Sequence, residues 1–267
     1  MASLADKSYQ NMKRTLLPIL LFFAALQCHA QSGVKPIEQA NIESDVVLFD
    51  LSYGAQMSGA DLNERFGNSL SVGGGGEYML ASNWSFGLKG SYFFGNIVKE
   101  DVLAGLRNAE GEIFGSNQEP STLLLKYRGW YAGAHLGKLI PLNPKSKNRS
   151  GIKITVGAGL LQHKIRIQND PQSIVLQVSD EYGKGYDRLT NGLALNQFIG
   201  YQSLGANRRI NFSIGIELTE GFTANRRSNN VGATADINEP RLDLQYGLIA
   251  KWHVPIYQTD TEKEYYY

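Results

Sequence analysis

One segment near the end of the chain limits what the rest can fold into. Arg241–Tyr257 reads RLDLQYGLIAKWHVPIY. Its even positions, Leu242, Leu244, Tyr246, Leu248, Ala250, Trp252, Val254 and Ile256, are all apolar. The odd positions, Arg241, Asp243, Gln245, Gly247, Ile249, Lys251, His253 and Pro255, are mostly polar or small. Successive side chains of a strand point to opposite faces, so this strand has one apolar and one charged face. The apolar face must meet either a protein core or lipid, and the other segments decide which.

The same alternation recurs over residues 46–57, 69–80, 84–98, 123–139, 151–168, 193–204 and 209–222, which predicts eight strands in all. In the first, Val47, Phe49, Leu51 and Tyr53 oppose Asp50, Ser52, Gly54 and Gln56. Two segments are less regular. In the fourth, Lys126 and Arg128 share a face with Trp130 and Ala132, which suggests a bulge or a strand running past its apolar layer. In the fifth, the apolar residues beyond Leu160 change parity, to Leu161, Ile165 and Ile167. The run Gly73 to Gly76 is followed by another alternating strand. It lacks the helix N-terminus that a phosphate-binding loop requires, so close packing, curvature or a bulge is expected there. Pro255 removes a ladder donor, and regular pairing is expected to end near Val254.

The connections have a rhythm. After the first, third, fifth and seventh strands come 11 to 24 polar residues; after the second, fourth and sixth come 3, 11 and 4. An up-and-down barrel of the bacterial outer membrane has short periplasmic turns and longer outer loops. A mean hydropathy of −0.26 and the lack of an internal apolar run near ~20 residues do not oppose this, because barrel strands are only half apolar. The expected fold class is therefore all-β: a closed antiparallel up-and-down eight-stranded transmembrane β-barrel over residues 44–257. In that topology Tyr78, Trp84, Tyr201, Trp252 and Tyr257 form a girdle near the periplasmic strand ends. Tyr53, Phe94, Tyr127 and Phe222 form one near the outer ends, since amphipathic rings prefer the headgroup level.

The N-terminus reads as an export signal over residues 1–30. Lys13 and Arg14 precede the apolar stretch LLPILLFFAAL, and Cys28-His29-Ala30 precedes Gln31 as a cleavage site. The apolar stretch is too short for a membrane anchor. Met12 is a plausible true start. Residues 31–43 read as a polar periplasmic lead-in and residues 258–267 as a periplasmic tail, so both barrel termini are expected in the periplasm of a bacterial outer membrane. Cys28 is the only cysteine, which leaves the exported part without thiol chemistry or disulfides. Its charge is near zero, and no nucleic-acid partner is implied.

The inward faces carry Asp50, Glu77, Lys89, Lys153, Glu217, Arg241, Asp243 and Lys251, with Arg128 as a further candidate. Eight strands enclose an interior just wide enough for side chains. Balanced charges in that space predict an ion-pair network that plugs the lumen, with a narrow channel as the alternative.

This pattern resembles the small eight-stranded outer-membrane barrels of the OmpA/OmpX type. The loop lengths and the Ala30-Gln31 context resemble relatives in Bacteroidota. Within the last strand, Gln245-x-Gly247-x-x-Ala250-x-Trp252 is similar to the terminal signal that such barrels present for assembly, although the family commonly ends at the aromatic residue. The resemblance implies outer-membrane lipid, lipopolysaccharide and the barrel-assembly machinery as partners, with other outer-membrane proteins as candidates. It implies no substrate, because the fold carries adhesins, anchors and enzymes alike.

No catalytic constellation stands out. His135, His163 and His253 lack zinc-ligand spacing, and no cofactor or metal site is expected. His163 falls in the outer half of its strand, where a lipid- or peptide-modifying barrel enzyme can place catalytic groups. Such an enzyme also needs a serine and an acid within reach. The favoured role is structural or interactive, as a subunit or accessory of an outer-membrane complex. The loop charges Arg107, Asp180, Glu181, Lys184, Asp187, Arg226 and Arg227 read as a solvated rim or a binding surface.

Overall fold

Alternating strands need backbone partners on both sides, and this chain supplies them by closing a ring. The computed structural model describes residues 44–143, 149–179, 182–205, 211–228, 230–232 and 239–257. The leader, the lead-in and the tail expected above lie outside the described residues. The strands are β1 (Val46–Gly59), β2 (Ser69–Met79), β3 (Trp84–Gly95), β4 (Leu124–Pro141), β5 (Arg149–Gln168), β6 (Thr190–Leu204), β7 (Asn211–Asn225) and β8 (Arg241–Tyr257). Each pairs antiparallel with its sequence neighbours, and β8 returns to pair with β1 from Val46↔Tyr257 to Gly59↔Leu244. The closed ring leaves no strand edge.

The polarity of the ring is that of a protein turned inside out. Its outer wall exposes Leu51 (67%), Leu88 (68%), Leu136 (65%), Val156 (58%), Leu193 (69%), Ile216 (55%) and Leu248 (63%), while the inward positions of the same strands are buried and largely polar. Single exposed apolar residues are ordinary, but monomeric soluble proteins rarely expose apolar area that is continuous beyond a few hundred Å².

On β4 the outward residues are apolar or small from Trp130 to Ile140, except Lys138, whose ammonium lies 4.9 Å from the centroid of the Trp84 ring. On β5 the apolar outward face runs from Ile152 to Leu160. Both lengths match the ~9–11 residues of a membrane-crossing strand. Both strands then continue towards the long loops, in regular register from Leu124↔Gln168 to Pro141↔Gly151. The irregularity read from the sequence is therefore not a bulge. Leu161, Ile165 and Tyr127 face inward, while Gln162, Lys164, Arg166, Lys126 and Arg128 face out. The parity never changes; beyond Trp130 and Leu160 the two faces exchange polarity. This corrects two expectations. Arg128 points outside the barrel, and Tyr127 is 1% exposed within it, so Tyr127 is no girdle residue.

Apolar side chains fill both ends of the interior. At the short-turn end Val46, Leu48, Met79, Leu139 and Leu204 are buried together, and Tyr257 packs against them. Tyr257 thus has the inward parity of Lys251 and His253 and also leaves the girdle. At the long-loop end a larger cluster joins Phe93, Tyr127, Tyr131, Leu161 and Ile165 of the wall to Leu62, Phe66, Val102, Leu103, Ile113, Val175 and Val178 of the loops. Leu62 lies in α1 (Ala60–Arg65), a short helix within a segment that read as a polar loop.

The other residues expected in the girdles face outward. Trp84, Tyr201, Phe222 and Trp252 are 37–56% exposed near strand ends, Tyr78 and Phe94 are partly covered, and Tyr53 (55%) falls near the middle of β1. Pairing also continues past Pro255 to Tyr257, contrary to the expected end near Val254. The described pairing with β7 stops at Phe212↔Trp252, so β1 is the only described neighbour of β8 beyond that point. A proline is tolerated where no ladder hydrogen bond is needed from its nitrogen.

Glycines make room for the interior charges. A Cβ on Gly75 would meet Leu88 O at 2.5 Å and Asp50 Oδ2 at 2.9 Å, and one on Gly137 would meet Lys153 Cε at 3.0 Å. Close approach thus accounts for Gly73, Gly74 and Gly75, where an added Cβ would lie within 2.9 Å of a neighbouring atom, but not for Gly76, where the nearest atom is 3.6 Å away.

Candidate functional site

Between the two apolar ends lies a stack of polar side chains carried by alternate residues of all eight strands. Nearest the short turns, Lys153 Nζ donates to Glu77 Oε1 (2.5 Å) and to Ser85 Oγ (2.5 Å), and His135 Nε2 lies 3.1 Å from Glu77 Oε2. Ser213 Oγ and His253 Nε2 are 2.6 Å apart beside them. Asp50 and Lys251 share this level, and the Lys251 ammonium sits 4.3 Å from the Phe198 ring centroid. The space between these groups is about 10 Å³, at or below the room for one water.

In the next level Lys89 is ion-paired to Glu217 and also donates to Asn196 Oδ1 (3.3 Å); Asn196 in turn donates to Thr219 (2.8 Å). Above it, His163 Nε2 donates to Asp243 Oδ2 at 2.7 Å, and Thr223 donates to the same oxygen. Arg241 reaches Asp243 only at 3.5 Å and donates more closely to Asp61 O (2.6 Å).

The structure therefore sorts the sequence-derived charges into separate clusters. Glu77 with Lys153, and Lys89 with Glu217, are direct pairs. Asp243 takes His163 as its closest titratable partner. His135 and His163 were not among the predicted lumen charges, because a histidine on an inward parity gives no sign of which carboxylate it will meet. His163 is 1% exposed and enclosed by Phe66 and Tyr127, whose ring centroids lie 5.6 and 6.4 Å away. Of the positions expected to form an assembly signal, Gln245 and Gly247 face inward, where Gln245 donates to Ser69 Oγ at 3.1 Å; Ala250 and Trp252 face outward.

Charged groups also tie the long loops together. Glu100, in the loop after β3, accepts from Arg65 Nε of α1 at 2.8 Å and from Arg188 Nε of the loop after β5 at 2.6 Å. Arg65 also donates to Thr190 Oγ1 (3.0 Å), and Arg188 to Val231 O (2.9 Å) in the loop after β7. Asp187 accepts two bonds from Arg227, at 2.9 and 2.5 Å. All four long connections are thus cross-linked through Glu100, Arg188 and Asp187. Arg107 stays on its own loop with Asp101 (3.2 Å), and Asp180 and Glu181 lie outside the described residues. Beside the tie is a cleft of about 510 Å³ lined by Tyr182, Lys184, Tyr186, Arg226 and Arg227.

Burial pushes the Glu100 carboxyl up, but its hydrogen bonds and charge pairing with Arg188 and Arg65 outweigh this and hold it below the usual value of 4.5. Arg65 is itself pulled down, first by burial, yet stays a cation throughout the acid range. A depressed folded-state value means the tie is at full strength above about pH 4.5 and is lost as pH falls through the lower folded value. Amide exchange in the long loops should therefore accelerate on acidification below that range. In Glu100→Gln the loops should exchange fast already at neutral pH, with a flatter acid response. An unchanged acid response in that variant would remove Glu100 from the tie.

No family model matches the chain, and no curated protein matches it. Solved structures similar in architecture include the Neisserial surface protein A, at 12% identity and TM-score 0.41, covering 81% of this chain and 99% of that one. Ail, the attachment invasion locus protein of Yersinia pestis, matches at 8% identity and TM-score 0.39, over 80% and 99%. The outer membrane protein OprG of Pseudomonas aeruginosa matches at 10% and 0.36, over 80% and 98%.

Proposed function

We propose that this chain is an integral outer-membrane barrel with a structural or interaction role and a lumen closed to ions. The observation that carries the reading is the joint polarity of the ring: an apolar belt of one membrane thickness outside, and an interior of polar and charged side chains, with Glu77–Lys153 and Lys89–Glu217 ion-paired, between two apolar clusters. Lipid is the solvent such a belt calls for, and a filled interior does not suit a pore. Short turns at one end and cross-linked long loops at the other support periplasmic termini and an outer cap. The Bacteroidota-type source rests on the loop lengths and the Ala30-Gln31 context alone.

The fixed cap favours binding over transport. Its cleft, with Tyr182 and Tyr186 beside Arg226 and Arg227, offers aromatic and cationic contacts to another outer-membrane protein or a surface saccharide. The enclosure of His163 by Phe66 and Tyr127 argues against lipid or peptide modification there. The terminal-strand signal would be read before closure, since Gln245 is buried in the finished barrel.

Refolded protein should float with lipid vesicles and migrate differently on gels before and after boiling. In planar bilayers it should give no steady conductance; large steady channels would overturn the closed lumen. Affinity purification from native outer membrane should recover a stoichiometric companion, and lipid A mass spectra should be unchanged with and without the chain.

A further inference from the structure

Four cations stand together on the outer wall with no carboxylate paired to any of them among the described residues. Lys126 and Arg128 of β4 pair directly across from Arg166 and Lys164 of β5. All four have the outward parity of Trp130 and Leu160. Neighbours two apart on a strand are about 6.6 Å apart, and cross-strand Cβ atoms about 5 Å. The four positive charges therefore occupy one small square. Like charges directly opposite each other on a sheet face are destabilising, and here two such pairs are stacked.

No acid relieves them among the described residues. Lys126 donates to Gln168 Oε1 at 2.7 Å, and Arg128 to the carbonyls of Tyr127 (2.6 Å) and Gly95 (3.4 Å). Lys164 and Arg166, both exposed, have neither a hydrogen bond nor an ion pair among the described residues. Nor is the square a closed surface. A groove of about 280 Å³ opens between Arg128, Lys164, Arg166, Tyr92, Trp130 and Gln162.

Its height on the wall selects the ligand. The apolar belt ends at Trp130 on β4 and Leu160 on β5, and the basic square begins just beyond. Exposed Tyr92 and Trp130 form the apolar floor of the groove. A ligand there meets rings and aliphatic side chains below and up to four cations above, at headgroup depth. A neutral headgroup would leave the repulsion uncompensated, and a soluble anion would not use the apolar floor. Phosphate oxygens accept charge-assisted hydrogen bonds from both arginine and lysine.

We infer that this square is a binding site for a multiply phosphorylated lipid of the outer leaflet, with phosphates between the four cations and acyl chains against Tyr92, Trp130 and Leu160. The inference rests on the membrane placement proposed above and adds a fixed lipid position to it.

The test uses the full exported chain in phosphatidylcholine nanodiscs doped with bisphosphorylated lipid A, or with lipid A stripped of its phosphates. Native mass spectrometry then reads the lipid retained on the protein. Wild type should retain the bisphosphorylated form at least roughly tenfold more than the stripped form, and the preference should weaken with salt. Lys126→Gln/Arg128→Gln/Lys164→Gln/Arg166→Gln should lose that preference while keeping its heat-modifiable gel shift. Lys138→Gln, at the opposite edge of the belt, should keep it. Equal retention of the two lipids by wild type, or an undiminished preference in the fourfold variant, overturns the site and leaves the membrane placement standing. Failure of the wild type to enter nanodiscs at all overturns both. If the fourfold variant does not fold, Lys164→Gln/Arg166→Gln serves in its place, since those two side chains make no hydrogen bond or ion pair among the described residues, and its preference should fall by severalfold.

Discussion

Replacing Glu217 with leucine is expected to lower the unfolding free energy by about 3–5 kcal/mol, a large share of the stability of an ordinary domain. The Glu217 and Lys89 side chains are only 3% and 8% exposed, so the substitution leaves a largely buried ammonium with no other counter-charge in direct contact among the described residues. Asn196 Oδ1, at 3.3 Å, remains as a neutral acceptor but cannot replace a carboxylate. The double variant Lys89→Met/Glu217→Leu should recover most of the loss, because a buried pair replaced by apolar groups of similar volume is often neutral or stabilising. Urea unfolding in lipid of wild type, Glu217→Leu, Lys89→Met and the double variant closes the cycle. Glu217→Leu as stable as wild type would mean that water reaches Lys89 freely. The lumen would then be hydrated, and the closed-lumen reading would fail along with the pair.

The fold was legible because alternation is a property of single residues. The parity that separates Leu248 from Lys251 is visible in the letters, and the ring follows from applying it eight times. Strand limits came out within a few residues for the same reason. What was not legible depends on position along the barrel axis. Tyr127 and Tyr257 looked like girdle residues because both are aromatic and near a strand end. Their parity, read strictly against Trp130 and Trp252, already turned them inward. Lys126 and Arg128 looked like an irregularity only on the assumption that the whole strand crosses the membrane. At 18 and 20 residues, β4 and β5 are nearly twice as long as a crossing requires. The excess behaves as the wall of a water-soluble domain, polar outside and apolar inside.

The cap was missed for another reason. Leu62 and Phe66 are four apart, the spacing of one helix face, but a single turn among polar residues is a weak signal. Arg65, Glu100 and Arg188 are far apart in sequence, and nothing local says that they meet. Likewise the levels of the lumen are set by register, which decides whether Asp243 finds Arg241 on its own strand or His163 on β5. The inward charges could be named from sequence, but their pairing could not.

Leu248→Arg tests the solvent of the outer wall. Leu248 is 63% exposed and sits mid-strand, paired with Ala55 on one side and Ile216 on the other. Geometry alone treats this side chain as a surface residue. If water covers the wall, a surface substitution of this kind should change stability by no more than about 0.5 kcal/mol. If hydrocarbon covers it, an arginine near the midplane should cost about 2–4 kcal/mol. The contact geometry is the same in both cases, so the difference comes only from what lies outside. Arg166, whose outward side chain sits beyond the belt, supplies the internal contrast: Arg166→Leu should leave stability nearly unchanged, because charge is already accommodated at that height. Unfolding measured in bilayers should therefore separate the two sites by several kcal/mol in the predicted order. A tolerated Leu248→Arg would show that the belt is not lipid-facing at that level. The basic square would then lose the headgroup depth on which its ligand assignment depends, so one substitution at the middle of β8 bears on both proposals.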